Sequence, residues 1–544
     1  MRTFRKLLDL ALMGFLMLAV LLMGVQNLPE DVTRSLLGRA KNTIRIWYSD
    51  AAITDWLNIQ AVAYSDAHFD IRVEPVLVSG VELLENINQA SLSGEAYPDL
   101  YITTNDTLEK ASLAGLTAQI PANDKYLNAG NFCEAALNAV TYRGHYVAYP
   151  LFYETSLLLY NRTYLENAAI EQLREEGVIT GLLEGEEVPE TDFYFDTGAT
   201  QGEDTGDHSE DGDTATEEET TATEDGDAAT EADDAATEDS DAATEEETTV
   251  PPEVHSKEEY RSQIDEKVYG MIPGTIAELI TFADNYNAPA EVEGVFKWDV
   301  TDIFYNYFIV GNYMNAGGPS GDDITRLNMY NSEVVSCMKA YQKLNTYFAI
   351  DASKVSYEKV IQDFIGGKMV FTVATSDMVT QIRQAQADGL CEYEYGATET
   401  PDLNDYYGTR TMSVTDCLAV NGYSQNISKA MEFASYLVSR TDEACFRQTG
   451  RLGARSGIVY EDEMLPDYYK VYSTSIPLPK MIETSNFWLL MEIAFTNIWN
   501  GADPNITMKD MSEAIMKQVV GRHYEEMLLP EPDAVSITDE VQNN

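Results

Sequence analysis

Residues 43–103 alternate between two periodicities, and that alternation restricts the fold more than any other feature of the chain. Thr43-Ile-Arg-Ile-Trp47 reads as a strand, with Ile44 and Ile46 on one face. Residues 54–67 read as a helix, with Trp56, Ile59 and Ala63 on its apolar side. Residues 71–78 return to alternation through Ile71, Val73 and Leu77. Residues 81–91 are helical and stop near Gly94. Pro98-Asp-Leu-Tyr-Ile-Thr103 is a third strand. Strand–helix–strand–helix–strand predicts an α/β fold with a parallel sheet wrapped by helices. Ligands of such sheets bind beyond the carboxyl ends of the strands. Two polar pairs stand there, Ser49-Asp50 and Asn105-Asp106.

Residues 145–163, HYVAYPLFYETSLLLYNRT, hold two further β-rich runs. Residues 146–149 form the first. Pro150 should end its pairing, because proline has no N–H for a ladder. Residues 157–160 are apolar throughout, as in a strand buried on both faces. Glu154, the one acidic side chain of this stretch, lies between the runs. A carboxylate there needs donors or a ligand. It either caps a turn or faces a cleft between two lobes.

Residues 184–252 break the pattern. From 201 to 250 there are 21 Asp or Glu and no Lys or Arg. Large apolar residues are nearly absent, so the segment cannot offset its chain entropy by burial and is expected to be disordered. No twelve-residue calcium loop is present, and no metal site is expected. Order resumes near Tyr260. Thr275-Ile-Ala-Glu278 is a capping box that opens a helix. Further helices are expected over 331–348, from a Ser428 cap to 438, over 487–499 and over 507–520, with a turn into a strand at 364–373. Residues from Pro530 onward read as a loose tail.

At the N-terminus Arg2, Arg5 and Lys6 precede an uncharged run from Leu10 to Val25. A basic flank before an apolar run is an export signal. With no small-x-small cleavage site evident, the expectation is an uncleaved membrane anchor with its basic end inside. A cleaved, secreted chain is the alternative. No cysteine lies near the run for lipid attachment. The five cysteines are widely spaced and odd in number, which argues for buried free thiols. The net charge of −56 argues against nucleic acid and against adhesion to an anionic membrane surface.

No G-x-S-x-G, H-E-x-x-H, Walker loop or post-strand G-x-G-x-x-G is present. The five His are scattered. Nothing singles out a pair among the many carboxylates for glycoside hydrolysis. No enzyme and no cofactor are therefore expected.

Tyr149-Pro-Leu-Phe-Tyr-Glu154, continued by Thr155-Ser-Leu-Leu-Leu-Tyr-Asn-Arg162, resembles the lobe-crossing segment of the maltose-binding protein-like family, the extracellular solute-binding components of sugar ABC transporters. Pro98 to Asp106, running on through Ala114-Gly-Leu-Thr-Ala-Gln-Ile120, is similar to the family segment with a sugar-binding Asp, and Asp106 falls on that Asp. Thr107 stands where the family example has a sugar-contacting Arg. Glu154 falls on a sugar-binding Glu. Phe487-Trp488 falls on a Phe-Trp pair whose Trp stacks on sugar. Trp298, Asp302 and Phe304 fall near a patch of polar and aromatic contacts. Phe364 to Val373 resembles a family strand that a stacking Trp follows, yet Thr375-Ser-Asp-Met378 has no aromatic, which argues against simple transfer of maltose specificity. Ser428 to Arg440, with Arg451-Leu-Gly-Ala-Arg455, resembles the late helix and the return to the second lobe.

The resemblance implies a two-lobed periplasmic-binding-protein type II fold. Its boundaries are an anchor and linker over 1–41, lobe 1 over 42–152 and 413–456, lobe 2 over 153–412 and 457–530, the acidic insertion at 184–252, and a tail at 531–544. Crossings are expected near 150–155, 410–416 and 456–460. It implies Asp50, Asp106, Glu154, Trp298, Asp302 and Trp488 as ligand contacts, with a sugar or oligosaccharide as ligand. The partner implied is an ABC permease on the extracytoplasmic face, and the chain is expected to be a monomer. A glycan-active enzyme or a wall-associated adhesin using the same cleft is the alternative.

Overall fold

The computed structural model describes residues 42–94, 96–180 and 256–538. The expected anchor and the expected disordered tract lie outside the described residues, apart from the edges of their flanks. Among the described residues no helix is long and apolar enough to cross a membrane. The chain divides into two compact units, residues 1–171 with 263–544, and residues 172–262. The described part of the second unit is the end of helix Arg162–Glu175 and a 3-10 turn, Lys257–Tyr260.

The first unit contains both large sheets. β1 (Asn42–Tyr48) pairs in parallel with β2 (Ile71–Leu77) and, on its other side, with β3 (Leu100–Thr104). Ile44 and Ile46 are fully buried, as their alternation requires. The helix between β1 and β2, Thr54–Ala67, buries Trp56, Leu57, Ala61 and Tyr64, whereas Ile59 is exposed. The 57-61-64 spacing sets the packed face, one helical step away from the side expected through Ile59 and Ala63.

A short hairpin, β4 (Thr141–Tyr142) and β5 (His145–Tyr146), precedes β6 (Tyr149–Thr155). Pro150 does not end the pairing. It lies inside β6 opposite Cys417, and the register slips there, between Asp416 and Cys417. A bulge accommodates a residue that cannot donate to the ladder. Ser156 alone separates β6 from β7 (Leu157–Asn161), every residue of which is buried.

The chain then builds a second sheet from β8 (Gly294–Phe296), a side pair of β9 (Asn315–Ala316) with β10 (Leu327–Asn328), then β11 (Met369–Ala374) and β12 (Tyr395–Thr398). This four-stranded sheet has the order β12-β7-β11-β8. β13 (Met412–Val420) returns to the first sheet, antiparallel to both β3 and β6. β14 (Leu452–Gly453) joins β6 and β15 (Ile476–Pro477) joins β13. The first sheet is thus seven-stranded, ordered β14-β6-β13-β3-β1-β2 with β15 as a seventh strand beside β13, and mixed where the opening motif alone predicted parallel pairing.

In addition, β15 brings the segment after 456 alongside β13 of the first sheet at Ile476–Pro477. Two expectations are corrected. Helix Ile427–Val438 starts from Asn426, and Ser428 sits inside its first turn. The described part of the tail, residues 531–538, is docked: Val535 and Ile537 are buried, and the Val535 N–H donates to the Ser336 carbonyl at 3.2 Å. Elsewhere local chemistry and structure agree. The Thr275/Glu278 capping box is formed on helix Ile276–Asn285. All five cysteines are free, four of them buried.

Candidate functional site

Helix Glu443–Thr449 ends on Gly450, whose φ of 68° suits a residue without a Cβ. That turn delivers Arg451 to the start of β14. Its Nε donates to Asp50 Oδ2 at 2.8 Å and its Nη1 to Glu154 Oε1 at 2.5 Å. Asp50 lies just beyond the carboxyl end of β1 and also accepts from the Ala52 N–H at 2.9 Å. Glu154 lies near the end of β6. Two expected site residues, 104 positions apart in sequence, are thus joined by an arginine that sequence reasoning quoted in a motif but did not place in the site.

Asp416, on β13 opposite the β6 bulge at Leu151, lies beside them. Its carboxyl is pushed up to about 7, first by burial and then by the Glu154 charge, with Asp50 and Asp106 adding and Arg451 opposing. Burial also raises the pKa of Glu154. Arg451 counters this, while Asp377 and Asp50 add to it. A cavity of about 370 Å³ opens here, walled by Ser49, Asp50, Thr103, Thr104, Phe152 and Asp416 among others. It lies past the ends of β1 and β3, where sheets of this kind hold ligands.

A second cavity of about 310 Å³ shares Thr107 and Lys110 with the first and brings Asp106 together with Trp488. Asp106 follows β3, accepts from the Thr104 hydroxyl, and has its pKa raised by burial. Trp488, at the start of helix Phe487–Trp499, donates from Nε1 to Glu492 Oε1 at 2.6 Å. Its ring lies against Phe304, with centroids 5.9 Å apart and planes at 23°.

Asp302 lines neither cavity. Its Oδ1 caps the 3-10 turn Ile303–Tyr305 by accepting from the Phe304 N–H at 2.8 Å. Burial pushes its pKa up to about 6, with Glu492 and Asp299 adding. Its link to the second cavity is indirect, through Phe304, whose ring lies against Trp488.

Trp298 is a correction. It is 0% exposed, stacked on Phe296 and edge-on to Trp499, and its Nε1 donates to Asn306 Oδ1 at 2.8 Å. An indole whose faces and N–H are both engaged in the core cannot meet a ligand. An aromatic–polar pattern does not by itself separate a core ring from a cleft ring.

The gap near Thr375 is filled from elsewhere in the chain. Tyr357 donates from its hydroxyl to Asp377 Oδ1 at 2.7 Å and stacks on Tyr305 at 4.4 Å. Neither tyrosine was singled out by the sequence. Their proximity to Thr375 depends on the packing of helix Tyr357–Ile365 against β11, which no local pattern reports. Among the described residues no group of three or more His, Cys, Asp or Glu is arranged to hold a metal ion.

Two sheets linked by closely spaced crossings, with polar and aromatic side chains gathered at the sheet ends, form the α/β architecture of the two-lobed extracellular solute-binding proteins. The chain is similar to the extracellular solute-binding protein from Staphylococcus aureus solved with maltose, at 17% identity and a TM-score of 0.60, over 89% of this chain and 100% of that one. A cyclo/maltodextrin-binding protein complexed with maltotetraose gives 16% identity and a TM-score of 0.60, over 90% of this chain and 100% of that one. The GacH receptor of Streptomyces glaucescens, solved unliganded and with acarbose, gives 14% identity and a TM-score of 0.57, over 89% and 99%. No protein-family profile and no curated protein sequence matches the chain.

Proposed function

We propose that the chain is an extracytoplasmic solute-binding protein that captures a sugar or oligosaccharide between its two sheets and delivers it to an ABC permease, without covalent chemistry. The observation that carries this is the pair of adjoining cavities. One presents Asp50 and Asp416, with Glu154 held beside them through Arg451, and the other presents Asp106 and Trp488. Carboxylates accept from pairs of sugar hydroxyls, and an indole face covers the apolar side of a pyranose ring. The printed ligands of the fold neighbours, maltose, maltotetraose and acarbose, belong to the same chemical class.

Ligand touching both sheets favours the closed arrangement by its differential affinity. A micromolar dissociation constant corresponds to about 8 kcal/mol of net binding energy, which several charge-assisted hydrogen bonds and one stacked ring can supply after ordering costs. The basic-flanked apolar run at the N-terminus supports anchoring at the extracytoplasmic face, with the protein acting as a monomer beside its permease. The test is a thermal-shift screen over mono- and malto-oligosaccharides, with reducing ends assayed in parallel. A melting shift without product supports binding, and release of reducing ends points to a hydrolase. Trp488→Ala should abolish the shift while leaving the ligand-free melting temperature close to wild type. An unchanged shift would remove Trp488 from the site.

A further inference from the structure

We propose that Arg451 is the positioning residue of this cleft: its guanidinium holds the Glu154 carboxylate so that the remaining oxygen, Oε2, meets a ligand hydroxyl. The ligand half of this proposal rests on the binding function proposed above. The geometry of the trio carries it.

Asp50 has both oxygens engaged, Oδ1 with the Ala52 N–H at 2.9 Å and Oδ2 with Arg451 Nε at 2.8 Å. Glu154 gives Oε1 to Arg451 Nη1 at 2.5 Å, and its Oε2 has no donor among the described residues. Glu154 is also the most open member, its side chain 44% exposed against 30% for Asp50 and for Arg451. Of the four carboxylate oxygens in the trio, the one without a protein donor is therefore on the residue that solvent, or a ligand replacing it, can reach.

The charges around Glu154 explain why an arginine is needed. Asp50 at the end of β1 and Asp377 at the start of helix Asp377–Ala387 face it with negative charge, Asp416 on β13 adds to them when ionised, and Arg451 is the cation opposing them among the described residues. Without that cation the cheapest response is uptake of a proton, which would turn a strong anionic acceptor into a neutral carboxyl. The planar fork also matters. Nε and Nη1 reach two different carboxylates from one rigid group, a geometry that a lysine ammonium does not reproduce. Asp50 lines the cavity and, through Oδ2, also orients Arg451.

The experiment has two arms on the full chain. In the ligand-free arm, melting temperatures of wild type, Arg451→Met, Glu154→Gln and the double variant are compared at pH 7.5 and pH 4.5. Arg451→Met should melt lower at pH 7.5, Glu154→Gln should restore at least half of that loss, and the gap should narrow at pH 4.5. Losses that simply add, or that do not change with pH, would reduce Arg451 to a packing residue and overturn the proposal. In the ligand arm, maltotetraose affinity is measured from pH 5.5 to 9. Arg451→Met should bind about tenfold more weakly at pH 7 and regain affinity as pH rises, since each pH unit of displacement is a factor of ten. Arg451→Lys should be intermediate, with a midpoint closer to wild type. An equal loss at every pH would also overturn the proposal. If wild type shows no maltotetraose binding, that result counts against the sugar function alone, and the ligand-free arm decides whether Arg451 holds Glu154.

Discussion

Replacing Asp416 with asparagine should remove a large part of the pH dependence of stability between pH 4 and 7. Asp416 sits on β13 opposite the β6 bulge, on the wall of the first cavity, and no side-chain donor reaches it among the described residues. Its carboxyl titrates near 7 in the folded protein, chiefly because of burial and the neighbouring Glu154. In the unfolded chain an aspartate titrates near 3.9. The folded value is the higher one, so the native state binds this proton more tightly. The associated stability is fully present below about pH 4 and is lost as pH rises through about 7. A gap of about three pH units corresponds to a ceiling of about 4 kcal/mol. Partial exposure to the cavity and sharing of the proton with Glu154 bring the expected effect to about 2 kcal/mol. Asparagine keeps the shape and cannot ionise. In ligand-free urea titrations the variant should therefore gain about 2 kcal/mol on wild type between pH 4.5 and pH 7.5. Parallel profiles for the two proteins would refute the assignment of this proton to Asp416.

Asn105→Ala should cost about 2–4 kcal/mol, because the buried amide donates to the Leu478 carbonyl at 2.7 Å and accepts from the Thr415 N–H at 2.9 Å, and both backbone groups would be left unpaired. A shifted urea midpoint with an unchanged slope is the readout. Trp298→Ala should cost about 3–5 kcal/mol by opening a cavity among Phe296, Phe348 and Trp499. Its folded fraction should keep wild-type ligand affinity in a calorimetric titration, the reverse of the Trp488→Ala phenotype.

The fold was legible wherever local pattern and tertiary role coincide. Ile44 and Ile46 alternate because β1 is covered, and the capping box at Thr275 forms because its partners are three residues apart. Legibility failed where a distant partner decides. Pro150 stays in β6, where a bulge at the adjacent Leu151 shifts the register against β13. The 476–477 segment returns to the first sheet because β13 offers a free edge there. In the site, the structure places Asp50, Glu154, Asp106 and Trp488 on or beside the cavities. Arg451 was hidden because an isolated arginine after a helix reads as a solvated charge. Trp298 misled for the opposite reason, since a tryptophan beside aspartates has the same composition in a core as in a cleft.

The crossings explain why the carboxylates and the indole need not contribute equally. Ser156 is fully buried between β6 and β7, and its hydroxyl donates to the Phe304 carbonyl at 3.0 Å. Thr155 donates to the Met412 carbonyl at 2.9 Å, and the Leu478 N–H to the Ser413 carbonyl at 3.0 Å. The 412–413 segment is thus bonded to both Thr155 and Leu478, and Asn105 bonds to Leu478 and Thr415. A rotation of one sheet against the other about this knot moves atoms in proportion to their distance from it. Glu154, two residues before Ser156, moves little. Trp488 is carried by helix Phe487–Trp499, which packs on helices Ser332–Phe348 and Pro504–Val519, and it lines the second cavity with Asp106 of the first sheet. On the binding function proposed above, the Glu154–Arg451 pair would be set before ligand arrives, and the Trp488–Asp106 separation is the one that such a rotation would change most.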